Sequence, residues 1–288
     1  SGGEIKAALE AGFPAKKIVF AGVGKADWEI EYALEKKIFC FNVESAEELS
    51  VIEELAKKKE NIASIALRIN PNIDAHTHEY ITTGLSENKF GIPIEMLDSI
   101  FSQIQRSPHV QLVGFHFHIG SQILNLETFN VGGGLGVDYE NPDKNPIPDF
   151  GRYFDIFQHN LNLRGGQQLH FELGRSIVCQ CGSLITRVLY VKKGIEKQFV
   201  IVDAGMTDLI RPALYQAHHC IENITSDMEK CRYDVVGPIC ESSDCFGRDV
   251  MLNETKRGDL IAIRSAGAYG EAMASQYNCR TLPGYLIE

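Results

Sequence analysis

The chain has 288 residues, 44% of them hydrophobic, and a formal net charge of −10, which is material for one large domain or two ordinary ones. Such acidity speaks against a nucleic-acid or anionic-membrane binder, because a run of phosphates must be neutralised by cations. No apolar run approaches the roughly 18 residues that span a bilayer, no basic apolar leader opens the sequence, and the 8 cysteines, scattered from Cys40 to Cys279 without a C-x-x-C pair, read as cytosolic thiols.

Taken in chain order, Ser1-Gly2-Gly3 reads as a loop after a strand. Short apolar runs then alternate with helical patterns: strands at Lys17–Ala21, Phe39–Val43, Ser64–Ile69 and Leu112–Ile119, a stub ending at Val131, and Leu169–Leu173. Between them Asp27 caps a helix through Leu34. Ser45 with Glu48 forms a capping box before a helix over Ala46–Lys58, and Pro93 opens a helix through Gln105. Strand–helix repeats of this kind mean an α/β fold. Two counts do not close on a (β/α)8 TIM-like barrel. Six strands are visible instead of eight, and only about nine residues, Gly120 to Thr128, separate the fourth from the fifth. The simplest reading is a longer gene product, with two N-terminal strands and a segment near Phe129–Asn130 absent from this chain; the alternative is an open six-stranded sheet.

After Arg175 the pattern changes. Leu184–Val191, Gln198–Asp203, Tyr233–Val236, Asp249–Leu252, Asp259–Arg264 and Tyr285–Ile287 read as strands of an antiparallel β domain, so the division falls as 1–180 for the barrel and 181–288 for the β domain.

Several strings carry chemistry. His116 and His118, two apart on one strand, share a face; they are packed core histidines, metal ligands, or a platform for a flat cofactor. The metal reading is thin, since only His170 and Glu172 offer further ligands, and no metal is expected. Gly132-Gly133-Gly134 after a strand suits backbone approach to an anion, or is simply a turn. Glu172-Leu173-Gly174-Arg175 puts a carboxylate at a strand end and a guanidinium beside it, as an ion pair or as anion ligands. Arg211-Pro212 with Tyr215 offers a guanidinium and a phenol, or a surface ion pair. Cys240-Glu241-Ser242-Ser243-Asp244 places a thiol among acids and hydroxyls for proton transfer, against the commoner fate of a buried inert cysteine. Tyr269, among small residues, suits a ligand contact or a packed turn.

Together these strings are familiar. AGVGK (Ala21–Lys25), CFNVES (Cys40–Ser45), RINPNIDAHTHEYITTGLSENKFG (Arg68–Gly91), GFHFHIGSQI (Gly114–Ile123), NVGGGLG (Asn130–Gly136), ELGRSIV (Glu172–Val178), DAGMTDLIRPALY (Asp203–Tyr215), GPICESSD (Gly237–Asp244) and AGAYG (Ala266–Gly270) resemble the fold-type III pyridoxal-phosphate-dependent decarboxylases, with their alanine racemase-like barrel. CESSD and IRPALY favour the branch that converts meso-2,6-diaminopimelate to L-lysine over those acting on ornithine or arginine. A non-catalytic, partner-binding relative and a metal-dependent barrel hydrolase are the other readings.

The resemblance implies a barrel holding pyridoxal 5'-phosphate, a C-terminal β domain, and a cytoplasmic homodimer with shared active sites. His118 would stack on the ring and Glu172 would pair with its nitrogen. Ser121, Gly132, Gly133, Gly134, Gly174, Arg175 and Tyr269 would surround the phosphate. Arg175, Arg211, Tyr215, Glu241 and Tyr269 would contact substrate, and Cys240 would donate a proton, Cys240 and Glu241 coming from the partner subunit. A cross-subunit ion pair from Lys89 to Asp244 would follow. Two departures stand out: the family usually has proline where Leu173 stands, and its cofactor-linking lysine belongs to a first barrel strand expected before Ser1, so no lysine here is assigned that role.

Overall fold

The computed structural model describes residues 1–70, 89–118 and 134–287, and its contacts divide them into two compact units, 1–118 and 134–287. The first unit runs α1 (Gly2–Glu10), β1 (Val19–Phe20), α2 (Asp27–Lys36), β2 (Cys40–Val43), α3 (Ala46–Lys58), β3 (Ala63–Asn70), β4 (Ile92–Pro93), α4 (Leu97–Arg106) and β5 (Val110–His116). All five strands pair in parallel, in the order β1-β2-β3-β4 with β5 also on β3. All four β2 residues are buried, as an inner parallel strand covered on both faces requires. In α3 the residues Leu49, Ile52, Leu55 and Ala56 lie on one stripe, and they join Phe41, Val43, Ile65 and Leu67 of the sheet in a single core.

Local chemistry explains where elements begin. Ser1 is the N-cap of α1, with a reciprocal capping box to Glu4, so Ser1-Gly2-Gly3 opens a helix where a loop was expected. At position 2 an added Cβ would lie 2.7 Å from the Trp28 ring, so any larger residue there must displace that side chain. Ser45 caps α3 through the Glu48 N–H at 3.1 Å, while the Glu48 carboxylate accepts from the Glu44 N–H and from Lys25 Nζ. Pro93 pairs in β4 against Asn70, so the helix expected from Pro93 starts at Leu97. β5 ends at His116, opposite Arg68, so His118 lies past the strand that was expected to carry both histidines.

The second unit holds α5 (Phe150–Asn160), α6 (Arg175–Val178), β6 (Leu184–Lys193), β7 (Gln198–Val202), α7 (Arg211–Tyr215), β8 (Ile221–Asn223), β9 (Lys230–Val236), β10 (Cys245–Asn253) and β11 (Leu260–Ile263). Its six strands form one sheet in the order β10-β9-β7-β6-β11-β8 over a core of Val188, Val200, Val202, Val235, Ile261 and Ile263. The sheet is mixed, for β7 pairs with β9 in parallel while the other pairs are antiparallel.

Two expected strands are not strands. Leu169–Leu173 joins no ladder among the described residues, and its aromatic anchor Phe171 packs edge-on against Tyr153, Phe154 and Phe157 of α5 at centroid distances of 4.9–5.7 Å. Tyr285–Ile287 is exposed and unpaired in any sheet. Conversely β8, three residues with Asn223 at its end, is too short to show a period-2 pattern.

Candidate active site

The second unit gathers four groups around one phenol. Tyr139 is buried, and its hydroxyl accepts a hydrogen bond from Arg175 Nη1 at 2.6 Å. The Arg211 guanidinium lies 4.7 Å from the centre of the same ring, a cation–π distance. His219 meets the ring edge-on at 5.0 Å and lies 2.9 Å from Arg211 Nη1. Cys179 Sγ is 3.2 Å from the Tyr139 hydroxyl and 3.1 Å from the Ser265 carbonyl.

These positions follow from the elements. Arg175 is the first residue of α6, and Arg211 opens α7 just before Pro212, where the missing proline N–H costs nothing. Tyr269 stands at φ +59° with its ring 4.9 Å from the Arg175 guanidinium, and a Cβ on Gly174 would come within 3.3 Å of its hydroxyl. Gly134 has φ +96°, a backbone that favours glycine.

The electrostatics are those of a buried cationic niche. Burial pushes the Tyr139 phenol up to about 12, against the pull of Arg175 and Arg211, so it stays neutral. Burial also lowers Arg211, and it brings His219 down to about 4. Among the described residues Nε of both arginines is buried without a hydrogen-bond partner, as are the Ser176 and Ser265 hydroxyls. Two like charges in a low-dielectric niche, each with an unsatisfied donor, are arranged for an anion with two oxygens.

The structure thus brings together Arg175, Arg211, Gly174 and Tyr269 of the expected site. Tyr215 ends α7, half-buried. Glu172 is exposed on the irregular segment before α6. His118 is half-buried in the first unit. Ser121, Gly132 and Gly133 lie outside the described residues.

Cys240 is exposed, and the neighbouring Glu241 carboxylate accepts from the Tyr277 hydroxyl at 2.9 Å. Asp244 departs from expectation. It is 4% exposed, and its carboxylate accepts from the Met206 and Ile239 N–H groups at 2.6 and 2.7 Å. Those amides, one in its own loop and one in the segment after β7, hold it inside the second unit, so it is not the surface acid that an ion pair with Lys89 would need. Among the described residues no three histidine, cysteine or acidic side chains come together to hold a metal.

Sequence reasoning missed Tyr139 and His219. Tyr139 sits in an unremarkable VDYE, and the His218-His219 pair was the only signal for the other.

Comparison with known proteins places this geometry. Residues 1–130 match the family described as "Pyridoxal-dependent decarboxylase, pyridoxal binding domain". A diaminopimelate decarboxylase of Bacteroides thetaiotaomicron is 59% identical over 310 aligned positions, covering 99% of this chain and 80% of the relative. Those positions outnumber the 288 residues here, so the relative carries internal residues without a counterpart. The crystal structure of a Helicobacter pylori diaminopimelate decarboxylase complexed with L-lysine superposes with a TM-score of 0.87 at 47% identity, over 96% of this chain and 75% of that one. A lysine/ornithine decarboxylase of Vibrio vulnificus shares only the fold, at a TM-score of 0.80 and 20% identity, over 98% of this chain and 78% of that one.

Proposed function

The chain belongs to the diaminopimelate decarboxylase family, and from that premise we propose that its second unit holds the distal amino-acid end of meso-2,6-diaminopimelate while the other end loses CO2. The activity is decarboxylation of that substrate to L-lysine, on a barrel followed by a β domain, which we divide at 180/181. The observation that carries the substrate reading is the pair Arg175 and Arg211, both buried on Tyr139 and both with an Nε that has no partner among the described residues. A distal carboxylate satisfies both donors and offsets their repulsion. Ornithine has no such group and would leave them unpaired, which is how a polar site rejects an analogue.

The residues present also fit pyridoxal 5'-phosphate. The Ser176 and Ser265 hydroxyls, without a hydrogen-bond partner among the described residues, the positive-φ Gly134 and the close approach of the Tyr269 hydroxyl to Gly174 suit a cradle for a phosphate. We assign Ser121, Gly132, Gly133, Gly134, Gly174, Arg175 and Tyr269 to the phosphate and His118 to the ring face. When bound, the cofactor supplies an electron sink for the carbon that loses its carboxylate. The Glu172 carboxylate holds a proton at the pyridine nitrogen. Cys240 Sγ carries the proton delivered to the substrate carbon. Glu241 takes the distal ammonium, beside Tyr215.

The exposure of Cys240 and Glu241 supports their serving the site of a partner in a homodimer. All 8 cysteines are free thiols, which supports a cytoplasmic setting. Among the described residues no helix is long and apolar enough to cross a membrane.

The test is CO2 release by the cofactor-loaded chain from meso-diaminopimelate, ornithine and arginine. Release from diaminopimelate alone is expected, with Arg211→Met lowering kcat/KM about 10²-fold. Comparable release from ornithine, or none from diaminopimelate, overturns the reading.

A further inference from the structure

His219 has no part in the roles assigned above, yet it is 1% exposed and touches the guanidinium at the centre of the niche. Its two ring nitrogens face opposite demands. Nδ1 lies 2.9 Å from the Arg264 carbonyl, which only accepts, so Nδ1 must carry the proton. Nε2 lies 2.9 Å from Arg211 Nη1, which only donates, so Nε2 must present its lone pair. One state meets both demands, the neutral Nδ1–H imidazole. Its burial and the charges around it agree, for Arg211, His218 and Arg175 all disfavour a further proton.

The contact also distinguishes the two edges of Arg211. A guanidinium grips a carboxylate bidentately either end-on, through both terminal nitrogens, or side-on, through Nε and Nη2. His219 engages Nη1, the nitrogen that the end-on grip needs and the side-on grip does not. Nε, which belongs to the side-on edge, is buried with no hydrogen-bond partner among the described residues. Tyr139 holds the plane of the group from below, with the guanidinium 4.7 Å from its ring centre.

Resting on the substrate reading above, we infer that His219 is a positioning residue for carboxylate recognition, turning Arg211 so that its Nε–Nη2 edge receives the carboxylate that diaminopimelate and L-lysine share. It does not touch substrate. Its effect is confined to ligands that carry that carboxylate.

The test compares L-lysine with cadaverine, the same diamine without the carboxylate, as ligands of the cofactor-loaded protein. His219→Leu is expected to weaken L-lysine about 10–100-fold, the range for losing one charged hydrogen bond, and to leave cadaverine within about 2-fold. KM for diaminopimelate should rise in step with the L-lysine constant. His219→Gln, whose amide both accepts and donates, should recover most of the loss. A structural role alone would weaken both ligands together, and that result overturns the inference, as does unchanged L-lysine binding in His219→Leu.

Should the leucine variant not fold, nitrogen NMR of histidine-labelled wild-type chain decides the matter. One imidazole is expected to remain neutral and protonated on Nδ1 alone at pH 5; complete protonation of every histidine overturns the inference. A wild-type chain that turns over diaminopimelate while failing these tests leaves the substrate reading intact. A wild-type chain that binds neither diaminopimelate nor L-lysine overturns both.

Discussion

Gly267 joins the two segments that carry Arg175 and Tyr269, and the cost of Gly267→Ala can be worked from its surroundings. Its N–H donates to the Cys179 carbonyl at 2.9 Å, and next to it the Ala266 N–H donates to the Gly182 carbonyl at 2.8 Å. A Cβ there would collide with the Val178 carbonyl oxygen and lie 2.9 Å from Gly182 N and 3.0 Å from the Cys179 carbonyl oxygen. All three are backbone atoms, so no side chain can swing aside and a whole segment must move. Overpacking costs about 1–3 kcal/mol, and three backbone collisions put this case at the upper end. With a urea slope of roughly 3 kcal/mol/M, the unfolding midpoint should fall by about 1 M. The displaced segment takes Tyr269 away from Arg175, whose guanidinium is now 4.9 Å from its ring, so KM should rise as well. Gly165→Ala is the control, since nothing lies within 4 Å of a Cβ there. Equal urea midpoints and equal KM for the two variants would refute the steric reasoning.

In the first unit, Lys25 Nζ donates to the Gly22 and Asn42 carbonyls and to Glu48, with the lysine side chain 1% exposed. Lys25→Met strands a carboxylate that burial already drives toward protonation, so a loss of about 3–5 kcal/mol is expected in urea unfolding, partly restored by adding Glu48→Leu; a double variant no better than the single one contradicts this. His219 gives a pH dependence of definite sign. Its folded pKa of about 4 lies below the ordinary 6.5, so the unfolded chain binds a proton that the native chain refuses, and stability is lost as the pH drops from 6.5 towards 4, by up to about 1.4 kcal/mol per unit. Thermal melting of His219→Gln should show a shallower acid limb than wild type, and parallel limbs would exclude the effect. Mixing Glu172→Gln with Cys240→Ala should restore about one working site per heterodimer; exchanged dimers without activity would place both residues in one chain's site.

Much of this protein was legible in its sequence because the signals were local. The β2 run Cys40–Val43 and the α3 stripe under its Ser45 cap are set by residues within one or two turns of each other, and both were read nearly to the residue. The motif strings pointed to Arg175, Arg211 and Tyr269 before any contact was known. Where the reading failed, a distant partner had decided the outcome. Leu169–Leu173 alternates like a strand, but Phe171 finds the aromatic face of α5 and the segment joins no ladder. Asp244 looked like a free acid in a polar string until the amides of Met206 and Ile239 closed on it. Tyr139 and His219 carry no local pattern at all. They became parts of the site only when folding set the ring of one against the edge of the other, with both against Arg211. A buried guanidinium must be satisfied on every edge not reserved for a ligand, and the groups that satisfy it are recruited from wherever the tertiary fold brings them.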